Sequence, residues 1–219
     1  MKDRALIQKT IVFVKETLKG AEGGHDWFHI ERVYKNALLI AKEEPVDHLI
    51  VALGALLHDI ADAKFYEGNE EIGPSKAKAF LEQQKVAPAV IVHVTNIIKH
   101  ISYKNSLEDN ANSFYSPELA VIQDADRLDA IGAIGIARCF NYGGFKNREI
   151  YNPEIAPNLT MSKEEYKKST APTINHFYEK LLLLKNTMNT KTGHKLAENR
   201  HRYMEGFLEQ FYAEWNGVQ

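Results

Sequence analysis

Apolar residues recur three and four positions apart along most of the chain, the spacing of amphipathic helices. Leu6, Ile7, Thr10, Ile11, Val14 and Leu18 mark one face of a first helix, which Gly20, Gly23 and Gly24 end. Asp26 is placed to cap a second helix running to about Glu44, ahead of Pro45. Asp47 opens a third helix through Ile60, and Pro74-Ser75 starts a fourth of about ten residues. Pro88 begins a fifth through Ile101 and Pro117 a sixth, in which Leu119, Val121, Ile122 and Leu128 face inward. Gly132 and Gly135 bend or break it before Ala133–Phe140 continues. Residues 141–171 then change character, with Gly143-Gly144, Pro153 and Pro157 among scattered polar positions. This predicts a long irregular loop with one short helix at Lys163–Lys168, and a lid is one role open to a loop of that length. Helices resume at Thr173–Asn186 and about Thr192–Trp215. No strand alternation is clean, and any small hairpin would sit in the long loop. The expected fold is all-α, a single domain over 1–219 of about eight or nine helices.

Composition narrows the function more than the fold. The 219 residues suffice for one substantial core or at most two small ones. Lys+Arg 27 against Asp+Glu 29 gives a formal charge of −2, which argues against bulk nucleic-acid binding but leaves room for a local cationic pocket for phosphates. Cys139 is the one cysteine, so neither a disulfide framework nor a thiolate metal site is expected, in keeping with a reducing cytoplasm. The N-terminal segment is punctuated by Lys9, Lys15, Glu16 and Lys19 and does not read as a signal peptide. No stretch approaches the roughly 20 apolar residues of a membrane span.

Against this background one phrase stands out: Ala55-Leu56-Leu57-His58-Asp59-Ile60-Ala61-Asp62. Its His58-Asp59 pair puts two adjacent ionisable side chains on an otherwise buried helix, which is costly unless something pairs with them. His29 lies 29 residues before His58, and Asp126 lies 67 after Asp59, each on its own apolar helical segment. His29 shares a helix face with His25, and Val33, Ala37 and Ile40 continue near that face and turn His29 inward. Taken singly, His29 has a core histidine as its ordinary alternative, His58-Asp59 a capping pair, and Asp126 a solvated charge cluster with Asp124, Arg127 and Asp129. Together, three apolar helices each offer a ligand of the type one divalent ion requires. Asp124 stays open as an alternative to Asp126.

The phrases Gly24-His25-Asp26-Trp27-Phe28-His29-Ile30-Glu31-Arg32-Val33, Ala55-Leu56-Leu57-His58-Asp59 and Asp124-Ala125-Asp126-Arg127-Leu128-Asp129-Ala130-Ile131-Gly132 resemble the HD-domain superfamily of metal-dependent phosphohydrolases, in a bacterial branch of small stand-alone members. The resemblance extends from the second helix through Phe140 and weakens in the C-terminal third. It implies an HD-like helical bundle with its core at about 20–140 and helices 173–215 packing on it. It also implies His29, His58, Asp59 and Asp126 as ligands, Asp126 being preferred because the family uses the second aspartate of that phrase.

The implied activity is hydrolysis of a phosphoester or phosphoanhydride in a small phosphorylated metabolite, a nucleotide above all, with (d)NTP pyrophosphohydrolysis suggested by the branch. Phosphomonoesterase or phosphodiesterase action on the same site, or a nucleotide-sensing module without turnover, are the alternatives. The metal would be Mn, Fe, Co, Ni, Zn or Mg; two imidazoles argue against calcium. Asp62, within one turn of Asp59, is expected as general acid or base, and Lys64 beyond it as a point charge on a phosphate. Arg32, Lys104 and Arg127 are candidates for a phosphate clamp. His93 and His100 are seven residues apart and share a face as substrate or supporting groups. Tyr142, Phe145 and Tyr151 would be placed to stack on a base. No nucleic-acid or membrane partner is expected, and a homodimer through apolar helix faces is left open.

Overall fold

The computed structural model describes residues 2–21, 26–61, 69, 71–101, 114–162, 165 and 168–218. Among them are nine α-helices, one 3-10 helix and no strand, so the all-α expectation holds. The chain divides into two compact units, Met1–Asp126 and Arg127–Gln219.

The first unit is organised on α3 (His48–Leu57), in which every residue from Ile50 to Leu57 is buried. A ten-residue helix is marginal alone, so its stability comes from that burial, at about 25 cal/mol per Å² of apolar surface. Asp47 starts it as the sequence predicts, its carboxylate accepting from Leu49 N at 2.8 Å and Ile50 N at 3.2 Å. Around α3 pack α1 (Lys2–Thr17), α2 (Trp27–Ala41) and α5 (Pro88–His100), and α4 (Ile72–Gln83) packs on α5. α6 (Pro117–Asp129) closes the set, with Ser116 Oγ accepting from Leu119 N at its start.

In the second unit, α7 (Gly132–Phe145) and the 25-residue α9 (Lys191–Trp215) pack together. α8 (Asn175–Glu179) and a 3-10 helix (Leu181–Thr187) complete it. Its core is aromatic: Phe177 stacks on Phe207 at 5.8 Å, and Phe140 lies 6.1 and 5.9 Å from the two rings.

Several boundaries differ from expectation. α2 stops at Ala41 rather than Glu44, and α3 at Leu57 rather than Ile60. α4 starts at Ile72, so that Pro74 falls in the first turn, where its missing N–H costs nothing. The break after α6 comes at Ala130-Ile131, and Gly132 takes φ +76° as α7 begins. α7 then runs through Gly143-Gly144 to Phe145, because Gly143 is buried against the Thr173 side chain; the irregular stretch begins at Lys146, not at 141. The expected helix Thr173–Asn186 is split at Lys180 (φ −147°, ψ −57°) into α8 and the 3-10 helix. The short helix expected at 163–168 lies largely outside the described residues.

Candidate metal centre

Three helix ends supply the centre. His29 stands in the first turn of α2, where the Asp26 carboxylate accepts from its backbone N at 3.0 Å. His58 is the residue that ends α3. Its Nδ1 lies 2.9 Å from the Ala55 carbonyl oxygen. A carbonyl only accepts, so Nδ1 donates and Nε2 carries the free lone pair. Asp126 is in the last turn of α6.

The two imidazoles are buried and meet edge to face, with ring centroids 5.4 Å apart. Asp126 Oδ1 lies 3.5 Å from His29 Nε2 and 3.9 Å from His58 Nε2. One donor atom from each of the three residues lies within 4.8 Å of the other two. Both N···O separations exceed a normal hydrogen bond. A His58 lone pair aimed at a carboxylate oxygen is unfavourable until a cation sits between them. Imidazole nitrogen and carboxylate oxygen are ligands a first-row divalent ion accepts together, so the cluster is compatible with one. The Asp126 side chain is 43% exposed, which leaves the centre open on one side.

Asp124, two residues earlier on α6 and so on the opposite face, is fully buried. Asp59 follows His58, is half-buried and engaged, and stands outside the three-residue cluster. Arg32 is half-buried on α2 and engaged. The Arg127 guanidinium donates to the Thr187 carbonyl. His100 ends α5 with Nδ1 2.8 Å from the Asn96 carbonyl. It and His93 flank the Phe114 ring at 5.5 and 5.6 Å, so the shared face expected of them is realised. His93 Nε2 is 3.0 Å from Ser116 Oγ and 3.3 Å from Glu118 Oε2. Asp62, Lys64, Lys104 and His25 lie outside the described residues.

Of the aromatic residues proposed for stacking, Tyr142 and Phe145 are exposed on α7 rather than in a loop, with the Lys146 ammonium 5.7 and 5.1 Å from their rings. Tyr151 is committed elsewhere, against Phe211, Tyr212 and Trp215 at 5.9, 5.3 and 5.0 Å.

One supporting residue escaped the sequence. Asn36 Nδ2 donates to the Ala125 carbonyl at 3.3 Å, tying α2 to the residue before Asp126. The available signal was its place seven residues after His29, two turns on along the same face.

A family model for the HD domain matches residues 27–131, a span that includes His29, His58, Asp59 and Asp126. The uncharacterized protein YpgQ of Bacillus subtilis is 34% identical over 100% of this chain and 98% of its own. The crystal structure of an HD-superfamily hydrolase from Bacillus thuringiensis aligns with a TM-score of 0.79 at 44% identity, covering 98% of both chains. The crystal structure of YpgQ in complex with ADP aligns with a TM-score of 0.77 at 32% identity, over 98% of this chain and 97% of that one. The chain belongs to the HD-domain superfamily. Its activity is that of the class, metal-dependent phosphohydrolysis. Among the described residues no helix is long and apolar enough to cross a membrane.

Proposed function

We propose that the chain hydrolyses nucleotides, and that it cleaves a nucleoside or deoxynucleoside triphosphate between the α and β phosphates to release pyrophosphate. The observation that carries this is the convergence of His29, His58 and Asp126 beside an open face. The complex of the related YpgQ with ADP supports a nucleotide as the ligand class.

His29, His58 and Asp126 would hold one divalent ion, with Asp59 as the fourth ligand. The bound ion would lower the pKa of a water and polarise the phosphorus it attacks. Water oxygen bonds to the α-phosphorus, the bridging P–O bond breaks, and its electron pair leaves on pyrophosphate. Asp62 would accept the water's proton, the general-base role its carboxylate chemistry allows. Lys64, Lys104, Arg32, Arg127 and His100 are proposed to orient the phosphates and neutralise their charge. Manganese is the ion to try first; Fe, Co, Ni, Zn and Mg fit the same ligands.

The test is a product assay on Mn²⁺-loaded protein with a panel of ribo- and deoxyribonucleotides. Pyrophosphate release from triphosphates, abolished by His58→Ala and by Asp126→Ala, is expected. Orthophosphate release from monophosphates instead would make the chain a phosphomonoesterase. Tight nucleotide binding with no product of either kind would make it a sensor.

A further inference from the structure

The seam between α3 and α6 is built like a ladder whose last rung is the metal pair. At its start the Asp47 backbone N donates to Glu118 Oε1 at 3.0 Å. Its middle rung sets Gly54 against Ile122: a Cβ added to Gly54 would lie 2.5 Å from Ile122 Cδ1, and 3.5 and 3.6 Å from Ile97 Cγ2 and Cδ1. The last rung is His58 Nε2 facing Asp126 Oδ1 at 3.9 Å. Rungs appear in the same order on both helices, so the two run in the same direction along the seam. His58 follows Gly54 by four residues and Asp126 follows Ile122 by four, one turn in each case. Both ligands therefore stand on the faces that Gly54 and Ile122 hold together.

Glycine is a poor choice for this position on propensity alone. It is the weakest helix former after proline, and α3 is short and, after His48, apolar throughout. What glycine supplies is the missing methyl. Ile122 is fully buried, and Ile97, also fully buried, closes the other side of the notch. The atom in conflict is the far end of the Ile122 side chain, so either Cδ1 turns aside or the helices part, and close packing around the two buried isoleucines favours the second.

We infer that Gly54 is a positioning residue for the metal: its lack of a side chain sets the α3–α6 separation and, one turn on, the span between His58 and Asp126. This rests on the proposal that these two residues ligate a metal. In Gly54→Ala the added Cβ separates the helices at that rung, and the two donors no longer reach one ion together.

The test measures Mn²⁺ affinity by calorimetric titration of metal-stripped full-length protein, with circular dichroism to establish folding. Gly54→Ala is expected to fold and to bind Mn²⁺ at least tenfold more weakly than the wild type. Ile122→Val removes the carbon atom in conflict, so Gly54→Ala/Ile122→Val is expected to bind within about threefold of Ile122→Val alone. A folded Gly54→Ala with wild-type affinity would mean that Ile122 swings Cδ1 aside while the helices stay put, and would overturn the inference. If Gly54→Ala does not fold, the double variant decides. Recovery of both fold and affinity supports the inference, and a double variant that folds with lost affinity, or that still fails to fold, overturns it. The underlying ligand assignment fails separately, through His58→Ala and Asp126→Ala proteins that bind Mn²⁺ like the wild type.

Discussion

Removing the Asp126 carboxylate should change stability differently with and without metal. In the metal-free protein its Oδ1 makes no hydrogen bond of normal length to His29 or His58, at 3.5 and 3.9 Å, and the side chain is 43% exposed. Its loss then takes no normal-length hydrogen bond from the two buried imidazoles, and Asp126→Ala is expected within about 0.5 kcal/mol of wild type. With metal at 100 times its dissociation constant, binding stabilises the wild type by about 2.7 kcal/mol. For a chain of this size each kcal/mol moves Tm by about 2–4 °C, so the metal should raise Tm by about 5–11 °C. Losing one ligand is expected to weaken binding about a hundredfold, which at the same metal concentration leaves about 0.4 kcal/mol, a shift of about 1–2 °C. Differential scanning of chelator-treated and Mn²⁺-loaded proteins measures both increments. A structural His29–Asp126 ion pair predicts the reverse pattern: a cost of a kcal/mol or more without metal and an unchanged metal increment. That outcome would refute the metal centre.

Asn36→Ala removes the bond to the Ala125 carbonyl and should cost about 1 kcal/mol in urea unfolding, with a several-fold loss of metal affinity beyond it. His176 is pushed down to about 4 by burial, with Lys180 and Arg148 adding to the shift. The folded state therefore binds its proton later than the unfolded state does. The stability His176 contributes is complete above the ordinary histidine range of about 6.5 and is lost as pH falls through the window down to about 4, by at most about 3 kcal/mol. His176→Asn should flatten that slope in pH-dependent urea melts, and an unchanged slope would assign it to other groups. Burial pushes the Cys139 thiol up to about 12, so at pH 8 its thiolate is scarce. Iodoacetamide should label the native protein far more slowly than the urea-unfolded chain, as mass spectrometry would show.

The helices and their caps were legible because they depend on local chemistry. Asp26 and Asp47 accept from the N–H groups at the helix starts they were expected to cap, and Pro88 and Pro117 begin α5 and α6. What was not legible depends on tertiary contact. Gly143 reads as a breaker in sequence, yet α7 passes through it because Thr173 fills the space a side chain would need. The split at Lys180 carries no glycine or proline to announce it. At the site, ligand type and spacing brought His29 and His58 together with an aspartate of the 124–126 pair, and the choice of Asp126 over Asp124 came from the family resemblance. Asn36 was not, because an asparagine on a half-buried helix face has many uses and its partner lies 89 residues away. Tyr151 looked available in a polar loop, and only the fold shows it packed against α9.

The placement of the ligands at helix ends has an electrostatic consequence. His58 ends α3 and Asp126 lies in the last turn of α6, so two helix C-termini converge on the same point. Each C-terminus carries partial negative charge from carbonyls without intrahelical partners, and it favours a cation. The N-terminus of α2 would oppose them from behind His29. There the Asp26 carboxylate sits at the cap, so that end is not a bare positive pole. The backbone therefore biases the centre toward a cation before any ligand bond forms, while the wholly buried run Ile50–Leu57 fixes the end of α3 that carries His58. Buried packing holds that histidine still, and the exposed edge at Asp126 leaves a side from which an anionic substrate can approach. Filling the core beneath the site and opening the edge above it are thus separable tasks: truncating the apolar side chains of Ile50–Leu57 should act on folding first, whereas adding a methyl at Gly54 or removing the Asp126 carboxylate should act on the ion first.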